Sequence, residues 1–223
     1  MIRSLEEDAG YNVVSDIFNT SDFGLPQHRR RIFIFAVRKD QKIASKNAQF
    51  FSSESVLEAF QESKKNCSLN FYEDVLDGIL EKKVDPKYYL SERVKPTILA
   101  NGSKKFKSKS EINQLIARPL TATMVKLHRA CQDNYYSDNF LRSRTPYKYV
   151  EKKIPKEIEV SHDIRKITPE EAFLLQGFDK HFCTSAASAG ISNHQLYRQS
   201  GNAVSVNTVY AIISYIYKTI LSE

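Results

Sequence analysis

The chain of 223 residues has few cysteines and no long apolar run. Cys67, Cys131 and Cys183 are odd in number and widely spaced, so they indicate neither a disulfide framework nor a zinc site. This usage is typical of a reducing cytoplasm. No stretch approaches the ~18 apolar residues of a membrane-spanning helix, and the acidic start of the chain is unlike a signal peptide. We therefore expect a cytoplasmic protein with no membrane partner.

Basic residues outnumber acidic ones, with 33 Lys and Arg against 26 Asp and Glu and a net charge of +7. A positive balance permits a polyanion as partner but does not identify one, because many basic proteins bind no nucleic acid. Hydrophobic residues make up 41% of the chain, which is enough for a folded core.

The first forty residues have the pattern of the end of an α/β sheet. Residues 2–9 could finish a helix that stops at Gly10, and β-branched residues over 11–17 predict a strand. Residues 32–37 are apolar at every position, which predicts a strand buried on both faces at the centre of a sheet. Because two strands alone are not stable, we expect the rest of the sheet to come from elsewhere.

The middle of the chain is less regular. Residues 41–70 are polar and predict a linker with one possible helix near residues 56–60. Residues 71–163 mix short β-prone pieces, a helical or turn segment at 75–80 and loops, which predicts a small irregular domain.

Regular structure is predicted again near the C-terminus. Thr168, Pro169 and Glu171 form a capping box with proline at the first helical position, and this helix should stop at Gly177. Ser192 can cap a short helix that ends at Gly201. The last segment has a helical apolar stripe that we expect to be packed, formed by Val206, Val209, Tyr210, Ile213, Ile216, Tyr217 and Ile220.

Three short segments carry the most information about function. They are residues 23–31 (FGLPQHRRR), 168–178 (TPEEAFLLQGF) and 197–204 (YRQSGNAV). In this order they resemble the eighth, ninth and tenth motifs of the DNA cytosine-5 methyltransferases, and we name them the eighth-, ninth- and tenth-motif segments. The glycine-rich cofactor loop, the Pro-Cys nucleophile and the Glu-Asn-Val segment of that family are absent from the sequence, and no cysteine follows a proline. We therefore expect the C-terminal part of a bacterial restriction-modification enzyme, inactive in isolation.

The resemblance implies an α/β fold in which an incomplete Rossmann-like methyltransferase sheet accompanies a small, irregular, β-rich target-recognition domain. Residues 1–40 would supply the last strands of the catalytic domain and residues 41–70 a linker. Residues 71–163 would form the recognition domain, and residues 164–190 its base with the ninth-motif helix. Residues 191–223 would return to the catalytic domain with the tenth-motif segment and the last helix.

The resemblance also implies functional residues. Gln27, Arg29 and Arg31 match the eighth motif and would lie at the catalytic pocket, with Arg31 contacting the flipped cytosine. On an extended segment these alternating residues share one face, although a solvated basic turn would have the same sequence. Gly201, Asn202 and Ala203 match the tenth motif and would line the S-adenosylmethionine site. A routine helix cap is the alternative for that segment.

The variable region would read the DNA. Residues 119–123 (PLTAT) look like the Thr-Leu segment that such domains place near the target base. The expected DNA contacts are Thr121, Thr123, Lys126, His128, Arg129, Lys104, Lys105, Lys107 and Arg165. Side chains at 126–129 can read base edges, and the lysines at 104–107 suit phosphates, although a solvated loop is an equal alternative.

The function implied is transfer of a methyl group from S-adenosylmethionine to C5 of a flipped cytosine in double-stranded DNA. An N-terminal catalytic half or subunit would be the partner, and the chain alone could self-associate through an exposed sheet. Two alternatives stay open. One is a non-catalytic, sequence-specific DNA-binding module, and the other is part of an RNA cytosine-5 methyltransferase.

Overall fold

The computed structural model describes residues 2–103, 105, 107–152, 154 and 156–221. The strands are β1 (Tyr11–Asn19), β2 (Arg30–Arg38), β3 (Tyr135–Ser137) and β4 (Ile164–Lys166). The helices are α1 (Lys42–Asn47), α2 (Ser53–Ser63), α3 (Lys95–Leu99), α4 (Asp138–Arg142), α5 (Pro146–Glu151), α6 (Lys156–Val160), α7 (Pro169–Leu174), α8 (Lys180–Ser188), α9 (Asn193–Asn202) and α10 (Val206–Tyr215). Within the described ranges, no helix is long and apolar enough to cross a membrane.

The chain folds as two compact units of mixed α/β structure. Unit 1 comprises Met1–Gly24, Arg29–Asn70 and Val204–Glu223, and unit 2 comprises Leu25–His28 and Phe71–Ala203. The chain therefore passes between the units four times, twice within the eighth-motif segment.

Unit 1 is built on a β-hairpin. Strands β1 and β2 pair antiparallel from Tyr11↔Arg38 to Asn19↔Arg30, which confirms both predicted strands. Gly24, with φ of 78°, ends the 3-10 turn between them. One face of the hairpin packs against Phe51, whose ring centroid lies 5.7 Å from that of Phe18 and 5.4 Å from that of Phe35. This aromatic contact forms part of the unit's core.

Residues 41–70 are part of unit 1, and the linker expectation needs correction. They contain α1 and α2, and α2 buries Val56 and Phe60, which lie one turn apart on the same helix face. The Asp16 carboxylate on β1 accepts hydrogen bonds from the backbone N and the Oγ of Ser53, both at 2.7 Å. These bonds lower the pKa of Asp16, with the backbone bond contributing most. The polar composition of residues 41–70 led to the linker prediction, because the apolar face of α2 is narrow.

The opposite face of the hairpin is open, so the prediction of a strand buried on both faces is wrong for this chain. Ile32 is 60% exposed and its cross-strand partner Ile17 is 47% exposed. The packing of α1 and α2 accounts for one face only, and no described residue of unit 1 buries these two isoleucines.

Helix α10 is present where the stripe predicted it, but with the other face buried. Ile213 is 59% exposed, Tyr217 is 74% exposed, and Ile220 is the stripe member with full burial. The buried face is fixed by hydrogen bonds, because the Asn207 amide donates to the carbonyls of Phe23 and Asn70 at 3.0 and 2.9 Å. The same face also buries Ala211, Ile212 and Tyr215, which leaves most of the predicted stripe on the surface of unit 1.

Unit 2 is less β-rich than we expected. The described residues between 71 and 163 form short helices, loops and a single three-residue strand, β3, which pairs antiparallel with β4. Side-chain amides replace strand pairing in places. The Asn134 amide accepts from the backbone N of Arg118 at 2.8 Å and donates to its carbonyl at 3.1 Å. Such bonds satisfy the backbone without a continuous ladder and carry no alternating pattern in the sequence.

The predicted caps in unit 2 are confirmed. The Thr168 hydroxyl accepts from the backbone N of Glu171, and the Glu171 carboxylate accepts from the backbone N of Thr168, which completes the capping box of α7. Gly177 takes a left-handed conformation with φ of 85° just after this helix. The Ser192 side chain caps α9, which ends at Asn202.

A buried ion pair joins β4 to α7. Two Arg165 nitrogens lie 2.7 and 2.8 Å from the two carboxylate oxygens of Glu171, and both side chains are almost fully buried. Arg165 also donates to the Glu81 carbonyl at 2.8 Å. The expected DNA contact of Arg165 is corrected, because its side chain has no exposed surface and both Nη atoms donate to Glu171 and to backbone carbonyls.

Replacing Arg165 should therefore destabilise the fold. Arg165→Met leaves the Glu171 carboxylate buried without its cation, which costs about 3–5 kcal/mol when a buried pair is broken. Arg142→Met is the matched control, because Arg142 pairs with Asp138 at 2.7 Å but its side chain is 65% exposed, and exposed pairs contribute at most about 1 kcal/mol. Urea unfolding measures both variants. Equal losses would contradict a special role for the buried pair.

Candidate functional site

The eighth-motif segment contributes Leu25–His28 to unit 2. The backbone N of His28 donates to the Ala117 carbonyl at 2.9 Å, and the Ala117 N donates to the Pro26 carbonyl at 2.8 Å. The Gln27 side chain is fully buried; its Nε2 donates to the Leu175 carbonyl at 2.9 Å and its Oε1 accepts from the Leu120 N at 3.2 Å. Gln27 was expected among the catalytic residues, and the structure corrects this: it positions backbone and has no surface for a substrate.

Arg29 lies in unit 1 and is 3% exposed. Its carbonyl accepts from the Thr20 N at 3.0 Å, and its own N donates to Asn19 Oδ1 at 3.0 Å. Burial, and then the charge of Arg31, lower the pKa of Arg29 to about 10. The guanidinium therefore keeps its proton at neutral pH in a poorly solvated place, where an approaching anion would be attracted strongly.

Arg31 is exposed at the start of β2, two residues after Arg29. Its Nη1 donates to the Arg30 carbonyl at 2.8 Å. Unlike Gln27, it offers donors at the surface, and a planar guanidinium suits a phosphate or a base carbonyl that gains negative charge. Of the three residues expected at a catalytic pocket, Arg31 has the exposure that direct contact requires.

The tenth-motif segment, like the eighth, contains both buried and accessible residues. Asn202 is exposed at the end of α9 and Ala203 is half-buried, so both can meet a ligand. Gly201 is buried, and a Cβ built on it would lie 2.3 Å from the carbonyl carbon and oxygen of Thr121. The expected cofactor contact at Gly201 is therefore corrected, because Thr121 already occupies the space beside it.

Several of the expected DNA contacts come together in unit 2. Thr121, Thr123 and His128 line an open cavity of about 350 Å³. The cavity is completed by Arg118, Pro119, Cys131 and Gln132. Hydroxyl, imidazole and amide groups around one concave surface can donate and accept hydrogen bonds to base edges.

The imidazole of His128 at this cavity is held in place by Asp133. Asp133 Oδ2 accepts from the backbone N of His128 at 2.9 Å and lies 3.1 Å from its Nδ1. Burial raises the pKa of Asp133, while the bonds from His128 oppose that rise. If Nδ1 carries the proton that points to the carboxylate, Nε2 is the acceptor available to a ligand. Sequence reasoning missed Asp133, since an acidic residue in a basic loop carries no pattern that marks it as a support.

The basic residues have different surroundings. Lys126, Lys105 and Lys107 are exposed, which suits phosphate contacts. Arg129 is half-buried and donates to the Asn101 carbonyl at 2.9 Å. Lys104 lies outside the described residues. The described part of the chain contains no group of three or more His, Cys, Asp or Glu residues that could hold a metal ion.

A family model for C-5 cytosine-specific DNA methylase matches residues 1–218 of the chain. Among curated proteins, a type II methyltransferase of Lactococcus lactis subsp. cremoris, M1.ScrFI, is 31% identical over 95% of this chain and 44% of its own length. The type II methyltransferase M.SsoII of Shigella sonnei is 28% identical over 99% of this chain and 48% of its own length. The chain thus spans about half the length of these two relatives.

Solved structures agree at the level of the fold. The Dnmt2 methyltransferase of S. pombe superposes with a TM-score of 0.66, covering 99% of this chain and 62% of that protein at 17% identity. The methyltransferase EhMeth of Entamoeba histolytica gives a TM-score of 0.59, with 100% and 58% coverage at 18% identity. The sequence match over nearly the whole chain and the shared fold lead to one conclusion: the chain belongs to the C-5 cytosine-specific DNA methylase family.

Proposed function

We propose that this chain is the C-terminal part of a DNA cytosine-5 methyltransferase, carrying target recognition and part of the catalytic and cofactor pockets. The observation that carries the proposal is the order of the three motif segments within a family match over residues 1–218. In this assignment the recognition domain covers residues 71–163, with its base at 164–190. Residues 1–40 and 191–223 belong with the methyltransferase domain, an incomplete Rossmann-like sheet in this chain.

The proposed reaction requires a base outside the duplex. Enzymes that act on a base in DNA swing it into a pocket, because its atoms cannot be attacked inside the stack. A cysteine thiolate would add to C6 of cytosine, and negative charge would accumulate on the ring until C5 takes the methyl group from the sulfonium sulfur of the donor. Loss of the C5 proton and departure of the thiolate from C6 would then restore the ring. Arg31 is the proposed contact to the base, and the buried positive charge of Arg29 would stabilise the same negative charge on the ring. Gln27 acts by positioning.

The cofactor implied is S-adenosylmethionine, which would supply the methyl group. Asn202 and Ala203 suit one edge of its site, because one presents an exposed amide and the other a small, half-buried side chain. These two residues do not make a complete site, and the family's glycine-rich cofactor loop is not in this sequence. We assign the remainder of the site to an N-terminal catalytic half or subunit.

The nucleophile must also come from that partner. Cys67, Cys131 and Cys183 follow Asn66, Ala130 and Phe182, so none has the Pro-Cys sequence. Cys183 is buried, and burial raises the pKa of its thiol, which disfavours the reactive thiolate. This chain alone should therefore not methylate DNA.

Unit 1 offers apolar surface for the proposed partner. Ile17 and Ile32 face outward from the hairpin, and Val209, Ile213 and Tyr217 are exposed along the last helical segment. Exposed apolar clusters of this kind mark interaction surfaces in soluble proteins. A sheet and a helix completed by an N-terminal half would bury them.

The first test is methyl transfer from labelled S-adenosylmethionine to duplex DNA, with this chain mixed with a separately produced N-terminal half. Activity should require both pieces. The module alternative predicts selective DNA binding by the chain and no activity from the mixture, and the RNA alternative predicts transfer to RNA in preference to duplex DNA. Methylation by this chain without a partner would contradict the proposal.

Arg31→Ala should reduce kcat of the mixture by about 100- to 1,000-fold, as expected for loss of one preorganised donor to the reacting group. Arg38→Ala is the matched control, since Arg38 is an exposed arginine at the other end of β2, paired with Asp40 at 2.6 Å. Its kcat should stay close to that of the unmodified mixture. Similar losses in both variants would remove the assigned role from Arg31.

The exposed stripe should mediate association. Without its partner, the chain should self-associate, and Ile213→Glu should shift it towards monomer because a charge on that surface must be desolvated on contact. The variant should also weaken binding of the N-terminal half. Ile158→Glu is the control, because Ile158 is 50% exposed on α6 in unit 2. Sedimentation velocity reads the change, and a monodisperse monomer of the unmodified chain would contradict the prediction.

A further inference from the structure

The loop formed by residues 119–123 is held from two sides by buried groups of unit 2; we call it the recognition loop. On one side the Leu120 N donates to Gln27 Oε1 at 3.2 Å. On the other, the backbone of Thr121 and Ala122 lies against Gly201, where an added Cβ would meet atoms at 2.3 and 2.5 Å. The loop carries Thr121 and Thr123, which line the cavity with His128.

The two supports are connected to each other. Gln27 Nε2 donates to the Leu175 carbonyl at 2.9 Å, and the next residue, Gln176, donates through Nε2 to the Ser200 carbonyl at 2.9 Å. Ser200 directly precedes Gly201. Leu175 and Gln176, just after α7, therefore bond to Gln27 and to the residue next to Gly201. Both glutamine side chains are fully buried. Buried polar networks of this kind fix a single backbone arrangement, because each broken bond leaves an unsatisfied group.

The glycine at position 201 is explained by space and not by backbone conformation. It lies in the last turn of α9 and is not among the glycines with positive φ. Glycine at a helical position costs about 1 kcal/mol relative to alanine, so another requirement must account for it. That requirement is the close approach of Thr121, which leaves no room for a side chain.

We propose that Gln27 and Gly201 are positioning residues that set the backbone of the recognition loop and thereby its selection of DNA sequence. This inference rests on the proposed function, since it takes the loop as the part that reads DNA. Neither residue touches DNA or cofactor in this assignment. The eighth-, ninth- and tenth-motif segments thus act on recognition through Gln27, Gln176 and Gly201.

The test compares Gly201→Ala with Gly190→Ala in the full chain. Gly190 has φ of 86° and nothing within 4 Å of an added Cβ, so alanine there strains the backbone without displacing the loop. The probe is a pool of short duplexes with randomised central base pairs, from which the unmodified chain is expected to enrich one sequence. Gly201→Ala should bind the enriched duplex about tenfold more weakly, as for loss of a base contact, with unchanged affinity for the random pool. Gly190→Ala should keep the preference.

A second readout needs no DNA. Trypsin cleavage after Lys126, followed by mass spectrometry, reports on the segment next to the loop. Gly201→Ala should speed this cleavage relative to Gly190→Ala at matched thermal stability. If the unmodified chain enriches no sequence, the recognition function fails, while the cleavage rates still decide the positioning claim. Equal preference and equal cleavage in the two variants would overturn the inference.

Gln27→Met provides an independent variant if Gly201→Ala does not fold. It removes the acceptor for Leu120 while keeping a side chain of similar length. Tyr215→Phe is its control, because the Tyr215 hydroxyl donates to the Phe50 carbonyl at 2.9 Å and both residues belong to unit 1. Gln27→Met should lose sequence preference and speed cleavage after Lys126, and Tyr215→Phe should do neither. The same behaviour in both would overturn the positioning role of Gln27.

Discussion

The buried amide of Gln27 is the interaction on which the arrangement of unit 2 around its open cavity depends. One side-chain amide satisfies a donor from the recognition loop and an acceptor at the end of α7. A short, irregular loop can therefore hold a fixed shape although β3 and β4 are only three residues long each.

The ion pair of Arg165 and Glu171 stabilises the start of α7 in the same unit. Glu171 caps α7, receives the Arg165 fork and accepts from the backbone N of Glu81 at 2.8 Å. Charge-assisted hydrogen bonds thus anchor the start of α7, and Leu175 and Gln176, which bond to the two supports of the loop, directly follow its end. Unit 1 differs from unit 2, because one apolar face of its hairpin and most of its helical stripe remain exposed. A recognition part whose loop is held by buried hydrogen bonds and a catalytic part that presents apolar surface are what the proposed division of labour requires.

Much of the local structure was predictable from the sequence. Caps depend on neighbouring residues, so Thr168 with Glu171 and Ser192 could be identified without knowledge of the fold. The strands at 11–19 and 30–38 were marked by β-branched and aromatic residues. Burial was not predictable in the same way. Apolar periodicity in α10 predicted the stripe but could not tell that the face with Asn207, Ala211, Ile212 and Tyr215 would be the buried one.

The candidate site was predicted in part, and the errors share one cause. Arg31, Thr123 and His128 are accessible, as direct contacts must be, whereas the hydroxyl of Thr121 is buried. Gln27, Gly201 and Arg165 were assigned to ligands, yet each is consumed by contacts inside the protein. A motif marks positions that matter and does not separate a residue that touches the ligand from one that holds such a residue. Long-range partners, such as residues 27 and 175, decide between these roles.

The measurement that tests the account most directly is hydrogen exchange of the Leu120 amide in the unmodified chain. If Gln27 holds the recognition loop as part of the core of unit 2, this amide should exchange only with global unfolding of the unit, as slowly as the buried Ala172 amide in α7. Fast exchange at Leu120 while Ala172 stays protected would mean that the loop opens locally. The motif segments would then not fix the recognition loop.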